Sequence, residues 1–417
     1  MRRSRSTFII LLVLPVVACA EGDGWTGTVT DSAGITIVEN TGVGLWTDAD
    51  RPTIETELDI GTAEGAPEYQ LAQVVGIDVS ESGDIYVLDM QARRVRVFDA
   101  DGRFLREMGG SGSGPGELSQ MTTGVMLAPG DTVVVPDMMQ QRLTRYTSAG
   151  EPVGSSPIPM SEGVSMRWEM APGYRMIQQS RRMALPGMDS VTPGDFLIER
   201  LPDGTIRDTI LELPTGGTID LGGDRPRIRL FSAEPMWAAG TDGRIYYAVN
   251  DGYSILIHSA DGTLESIVRR PFERRPVTDA DQQAIRDAMA DLYRNQGLPP
   301  AAFEQLLGMM EFADFYPAFA SILGGPGGSI WVQQIRTADE VAAAGGEIDI
   351  QDTGSNRFDV FDRDGRYLGV LELAERFTPM RVRGSCVYGV QRDEMDVQHV
   401  QRLSVQPLGR TVPVEGN

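Results

Sequence analysis

The chain has 417 residues and carries 37 basic against 59 acidic side chains, a net charge of −22. All the positive charge is arginine, which excludes Schiff-base lysine chemistry and a phosphate-loop lysine, and the acidity disfavours nucleic acid and anionic lipid headgroups. Only two histidines (His258, His399) and two cysteines (Cys19, Cys386) are present, too few for a zinc site built from several histidines or for a disulfide framework.

At the start of the chain, Arg2, Arg3 and Arg5 precede an apolar run from Phe8 to Ala18 that is too short to span a bilayer. The run ends in Val16-Val17-Ala18-Cys19, which resembles the lipobox of bacterial lipoproteins, with Val16 where that motif most often has leucine. The resemblance implies a signal peptide over residues 1–18, secretion by the general pathway, lipidation of Cys19 and a short tether over residues 19–26. The location it implies is the bacterial cell envelope, lipid-anchored on the outer membrane or the periplasmic face. The alternative is cleavage as an ordinary signal peptide, with Cys19 incidental. With Cys19 lipidated no intramolecular disulfide is available, and Cys386 reads as a small buried apolar residue.

Past the tether, a stretch repeats without a gap at an offset of 48 residues: Gly61 falls on Gly109, Gly76 on Gly124, Asp89 on Asp137, Arg94 on Arg142 and Gly102 on Gly150. Within one copy, the run from Gly83 to Asp89 alternates apolar and polar residues, and the run from Arg93 to Leu105 reads as two strands around an Asp101-Gly102 turn. Similar hairpins recur at Asp203-Gly204, Asp261-Gly262 and Asp364-Gly365, and less closely at Ala149-Gly150. Short strands and turns repeating with a period of about 40–50 residues are the signature of β-propeller blades. The expected fold is all-β, a single propeller over residues 27–417 with six blades, or seven if the interval from Met166 to Pro235 hides two. The hairpin from Thr28 to Asn40 is expected to pair with the last blade and close the ring.

From Thr278 to Phe319 the apolar period changes from 2 to 3.6: Ile285, Ala288, Met289 and Leu292 share one helix face, and Phe303, Leu306, Leu307 and Met310 another. This predicts a helical hairpin inserted between the fourth and fifth blades. It is followed by an aromatic run from which Tyr316 and Phe319 are the candidate ligand contacts; the bland alternative is that the insertion covers one end of the ring.

No catalytic set emerges. His258 replaces Phe98 in the repeat, so it is expected to pack within a blade, and no G-x-S-x-G elbow exists. The glycine-rich run from Gly109 to Leu118 lies between strands rather than before a helix and reads as a blade-to-blade linker. The acidic turns at Asp99/Asp101, Asp362/Asp364 and Asp393–Asp396 lack the remaining ligands of a calcium loop. No metal or other cofactor is expected, calcium being the alternative ion. Asp89/Arg94 and Asp137/Arg142 occur twice at equivalent places, which points to hydrogen bonding within each blade.

With these residues in hand, the chain resembles the NHL-type six-bladed β-propellers, and most closely the bacterial lipoproteins described only as 6-bladed beta-propellers. The strings that carry the likeness are DSAGITIVEN, GSGSGPGEL, GDIYVLD, RRVRVFDADGRFL and NRFDVFDRDGRYLG. The resemblance implies a monomeric, non-enzymatic module that presents one propeller face to a protein, peptide or glycan. The rival reading is a hydrolase similar to gluconolactonase-type propellers, with a divalent cation held by acidic side chains in the central channel.

Overall fold

The computed structural model describes residues 24–182, 194–214, 216, 219–220, 227–295, 300–343 and 354–406. Six four-stranded antiparallel blades form a ring whose inner strands are, in order, Val74–Val79, Met126–Ala128, Val164–Ala171, Pro235–Ala239, Ser321–Gly324 and Phe377–Arg383. The interval from Met166 to Pro235 supplies one blade, not two. Its remaining short strands, Ile219–Asp220 and Arg227–Leu230, join Met310–Phe312 in a separate small sheet. Apolar alternation along the strands places side chains on both blade faces, so the core lies between blades: Tyr86, Leu88 and Val97 of blade 1 pack against Leu127, Val133 and Val135 of blade 2.

Hairpin glycines lie where neighbouring blades meet. The glycine in the third-to-fourth strand turn of blades 1 to 5 sits against the outer strand of the preceding blade. A Cβ on Gly262 would lie 2.3 Å from the Ile210 carbonyl oxygen, and one on Gly365 would lie 2.3 Å from Val268. Both also hold φ near +85° (88° and 84°), so turn geometry and close approach each call for glycine. Blade 6 has no such turn because its outer strand comes from elsewhere in the chain, which is why only five of these hairpins are countable.

Ring closure differs from the sequence-based expectation. The outer edge of blade 6 is filled by Thr53–Ile60, antiparallel to Gln398–Gln406 with Val400 opposite Ile60. The Thr28–Ser32/Ile35–Glu39 hairpin instead adds to blade 4, Ile35–Glu39 running parallel to Leu264–Arg269. There Val38 is buried among Val268, Phe361 and Tyr367. Between the two, Leu45 and Trp46 donate their N–H groups to Tyr367 and Leu368 of blade 5 (3.2 and 2.7 Å). The first described residues therefore strap three consecutive blades.

The insertion folds as helices α1 (Asp279–Asn295) and α2 (Pro300–Leu307), between blades 4 and 5 as its periodicity predicts. A third helix, α3 (Ala338–Ala343), rises from blade 5 beside α1. Together with the small three-stranded sheet they enclose their own core of Ile285, Met289 and Ala338, flanked by Phe231, Phe303 and Phe312. The cap lies at the end of the ring where the inner strands begin; the other end, where they finish, is open among the described residues.

Candidate binding site at the open mouth of the ring

Turn length decides the shape of the mouth. The turns leaving the inner strands are five residues long in blades 1, 4 and 5 (80–84, 240–244, 325–329), three in blades 2 and 3 (129–131, 172–174) and two in blade 6 (384–385). The short turns leave a cavity of about 190 Å³ on the side of blades 1, 2, 3 and 6.

Two side chains stand in this cavity at a backbone cost. In five blades the residue two places before the first fully buried apolar side chain of the second strand has positive φ. It is glycine in blades 1, 4 and 5: Gly83, Gly243 and Gly328, with φ of 92°, 90° and 78°. In blades 2 and 3 it is Asp131 and Tyr174, at φ 54° and 60°. The left-handed region costs most non-glycine residues about 1–2 kcal/mol; Asp visits it more readily than most, whereas for a bulky residue such as Tyr174 it is a genuine outlier. Both residues line the cavity.

The floor of the cavity is charged and closed. Arg381, on the inner strand of blade 6, places Nε 2.9 Å from the Asp78 carboxylate of blade 1 and donates through Nη1 to the Met170 carbonyl of blade 3 (2.6 Å). Asp78 Oδ2 accepts the Leu127 N–H of blade 2 (2.8 Å), and Oδ1 accepts the Val79 N–H (2.9 Å). One ion pair therefore ties four blades together at the axis. Deeper in, Glu169 accepts the Ala239 N–H (2.7 Å) and pairs with Arg167, which also donates to the Trp237 carbonyl (2.8 Å).

At the rim, Tyr174 donates its hydroxyl to Glu81 Oε1 (2.9 Å), and that bond to a carboxylate pushes the phenol's pKa up. Arg383 and Asp131 also line the cavity. Among the described residues neither side chain makes a hydrogen bond or ion pair.

Of the residues singled out in the sequence, Cys19 lies outside the described residues. Phe319 is fully buried, 5.5 Å from the Tyr253 ring centroid in an edge contact. Tyr316 is buried in the cap, where its hydroxyl accepts the Ala338 N–H (3.1 Å), and burial pushes its pKa well up. Neither side chain reaches the mouth. His258 packs within its blade, with Nδ1 2.9 Å from the Gly262 carbonyl oxygen. The acidic turns fold as hairpins: Asp99 and Asp362 each accept two backbone N–H groups of their own turn. The run from Gly109 to Leu118 is a linker, its carbonyls at Gly114 and Glu117 bonded by Arg142 (2.9 and 2.8 Å). Asp89 accepts the N–H groups of Ala72, Gln73 and Ala92, but its ion-pair partner is Arg96 (3.0 Å) rather than Arg94, which pairs with Glu107.

Sequence reasoning passed over Asp131 and Tyr174. The signal for Asp131 was present in the 48-residue alignment, which sets Gly83 on Asp131. A repeat position that loses its glycine while keeping a positive φ, here in a shorter turn, is a place where a side chain is wanted.

The family model described as DUF5128, 6-bladed beta-propeller, matches residues 66–169. No curated protein matches the chain at a significant level. A putative exported protein from Bacteroides fragilis NCTC 9343 is similar in structure, with TM-score 0.51 and 10% identity over 89% of this chain and 99% of that one. A member of the DUF4221 family from Bacteroides vulgatus ATCC 8482 has TM-score 0.50 and 10% identity, over 86% of this chain and 98% of that one. A gluconolactonase from Xanthomonas campestris has TM-score 0.41 and 13% identity, over 81% and 87%. At such identities the likeness is one of fold alone: this chain is a six-bladed β-propeller, capped at one end and, among the described residues, open at the other.

Proposed function

We propose that the chain is a lipid-anchored binding module of the bacterial cell envelope, tethered through Cys19 and working as a monomer. It engages a protein, peptide or glycan partner at the open mouth of the ring and carries out no catalysis. The observation that carries this reading is the pair Asp131 and Tyr174, held at positive φ in turns where three other blades use glycine, with both side chains in one cavity. Strain of this kind persists where the surroundings over-determine it, and it clusters at ligand clamps and active sites. The NHL-type resemblance supports the same use of a propeller end as a platform.

The rival, a lactonase-like hydrolase with a divalent cation in the channel, does not fit the donors at the axis. Both Asp78 oxygens are taken by N–H groups and by Arg381, whose fixed positive charge opposes a cation at that point. Among the described residues no three His, Cys, Asp or Glu side chains gather to hold a metal ion.

The test is a pull-down from envelope extracts with the wild-type chain and an Asp131→Gly/Tyr174→Gly double variant as baits. Glycine suits both backbone positions, so the variant keeps the fold. A partner retained by the wild type and lost by the variant supports the reading. Equal retention by both baits, or repeated failure to retain any specific partner, overturns it.

A further inference from the structure

Three features of the mouth select the charge of what enters it. Arg383 lines the cavity with a guanidinium that no described residue neutralises, a planar fork suited to a carboxylate. Asp131, from blade 2, brings a carboxylate in the same condition, and Glu81 adds a second that already accepts the Tyr174 hydroxyl. The Arg381–Asp78 pair beneath them is internally balanced and contributes no net charge.

A simple anion approaching this cavity meets Asp131 and Glu81 and, at longer range, a chain of net charge −22. A simple cation meets Arg383 above Arg381. A ligand carrying one positive and one negative group satisfies both unpaired side chains and is penalised by neither, which is selection by repulsion as well as attraction. Size narrows the class further. At about 190 Å³ the cavity falls below the range of roughly 300–1,000 Å³ for drug-sized ligands, so what it encloses is one or two residues' worth of atoms.

Resting on the reading of the mouth as a binding site, we propose that it takes an α-amino-carboxylate zwitterion. The carboxylate is held by Arg383 and the ammonium by Asp131, with the Tyr174 ring, fixed by its bond to Glu81, forming the wall between blades. A free amino acid and a short unblocked peptide share this chemistry.

Isothermal titration of the full chain in detergent separates the sources and tests the charge pairing. The probes are L-alanine, dialanine and trialanine, followed by N-acetyl-dialanine, which lacks the ammonium, and dialanine amide, which lacks the carboxylate. At least one unblocked probe is expected to bind, and either blocking group on dialanine to weaken binding about tenfold or more. The variants assign the ends. Asp131→Asn is expected to remove the penalty for acetylation while keeping that for amidation, and Arg383→Gln the reverse; thermal melts confirm that both variants fold. The longest unblocked probe that still binds distinguishes a free amino acid from a peptide. Absence of binding by all unblocked probes at millimolar concentration overturns the proposal, as does equal binding of blocked and unblocked dialanine. If the zwitterions fail while the glycine double variant still loses a pulled-down partner, the mouth stands as a binding site and only its ligand chemistry falls. If both experiments fail, both readings fall.

Discussion

At the capped end of the ring, two buried carboxylates each gather several donors. Asp281 accepts the Thr278 N–H and hydroxyl (2.9 and 2.7 Å) and the Asp339 N–H (3.2 Å), fastening the start of α1 to α3. Where the insertion leaves blade 4, Asp359 accepts Arg270, Tyr253, Gln334 and Tyr367 at 2.7, 2.7, 2.9 and 3.1 Å. At the open mouth two charged side chains are left over: Arg383 and Asp131 have no partner among the described residues. Groups that fold a protein are satisfied within it, whereas groups left unsatisfied on a rigid frame are available to something else.

The largest effect that would sharpen this contrast is expected at Asp359. Asp359→Ala leaves the Arg270 guanidinium, which stacks 4.3 Å from the Tyr367 ring centroid, without its carboxylate. Breaking a buried ion pair on one side costs about 3–5 kcal/mol. Denaturant unfolding measures it, and a loss no larger than that of a surface substitution would mean the capped end is not the stable one.

Asp281→Ala comes next, at about 2–3 kcal/mol, because it strands backbone donors in a buried position. The loss is expected in hydrogen exchange of α1 and α3 before it appears in the blades. The same carboxylate makes the cap sensitive to acid. Burial alone would raise its pKa, but the hydrogen bonds from Thr278 outweigh burial and hold it below the usual value. Glu340 is likewise held low, the Thr337 N–H and Arg275 outweighing burial. With both folded values below the unfolded ones, about 3.9 for Asp and 4.3 for Glu, the unfolded state binds more protons as pH falls. Cap stability is therefore full above those values and is lost as pH drops through the folded ones. Exchange rates in α1 that fail to rise on moving from neutral pH to below pH ~4, after correction for intrinsic exchange, would contradict this.

The blades were legible in the sequence because each needs the same turn. Gly102, Gly150, Gly204, Gly262 and Gly365 all answer one requirement, close approach to the preceding blade at positive φ. The helices were legible because the apolar period changes at Thr278. Ring closure was not: Thr28–Ser32 and Thr53–Ile60 are both edge strands, and the sequence of an edge strand does not say which exposed edge it will meet. The mouth was hidden for a different reason. Tyr316 and Phe319 stand out as aromatics outside the repeat, but aromatics outside a repeat still need a core: Tyr316 packs against Phe231 in the cap, and Phe319 in the core between blades 4 and 5. Asp131 and Tyr174 are inconspicuous residues at a conspicuous backbone position, visible only when blades are compared place by place.

That comparison yields the smallest expected effect and the sharpest one. If Asp131 and Tyr174 are kept for binding, their substitution by glycine, as found in blades 1, 4 and 5, removes left-handed strain and is expected to stabilise the fold by up to about 1 kcal/mol each. The two sites lie in different turns, so the gains are expected to add and to raise the melting temperature by a few degrees. Alanine separates strain from side-chain loss. Asp131→Ala and Tyr174→Ala keep the positive φ without the original side chain, so they are expected to gain nothing while still losing mouth binding. Should alanine stabilise as much as glycine, the cost lies in the side chains' own contacts, such as the Tyr174–Glu81 bond. Should neither stabilise, the turns tolerate these residues freely and strain no longer marks the mouth. Opposite signs at the two ends, with Asp281→Ala lowering stability and Tyr174→Gly raising it, would show that one end is selected for holding the ring together and the other for what it contacts.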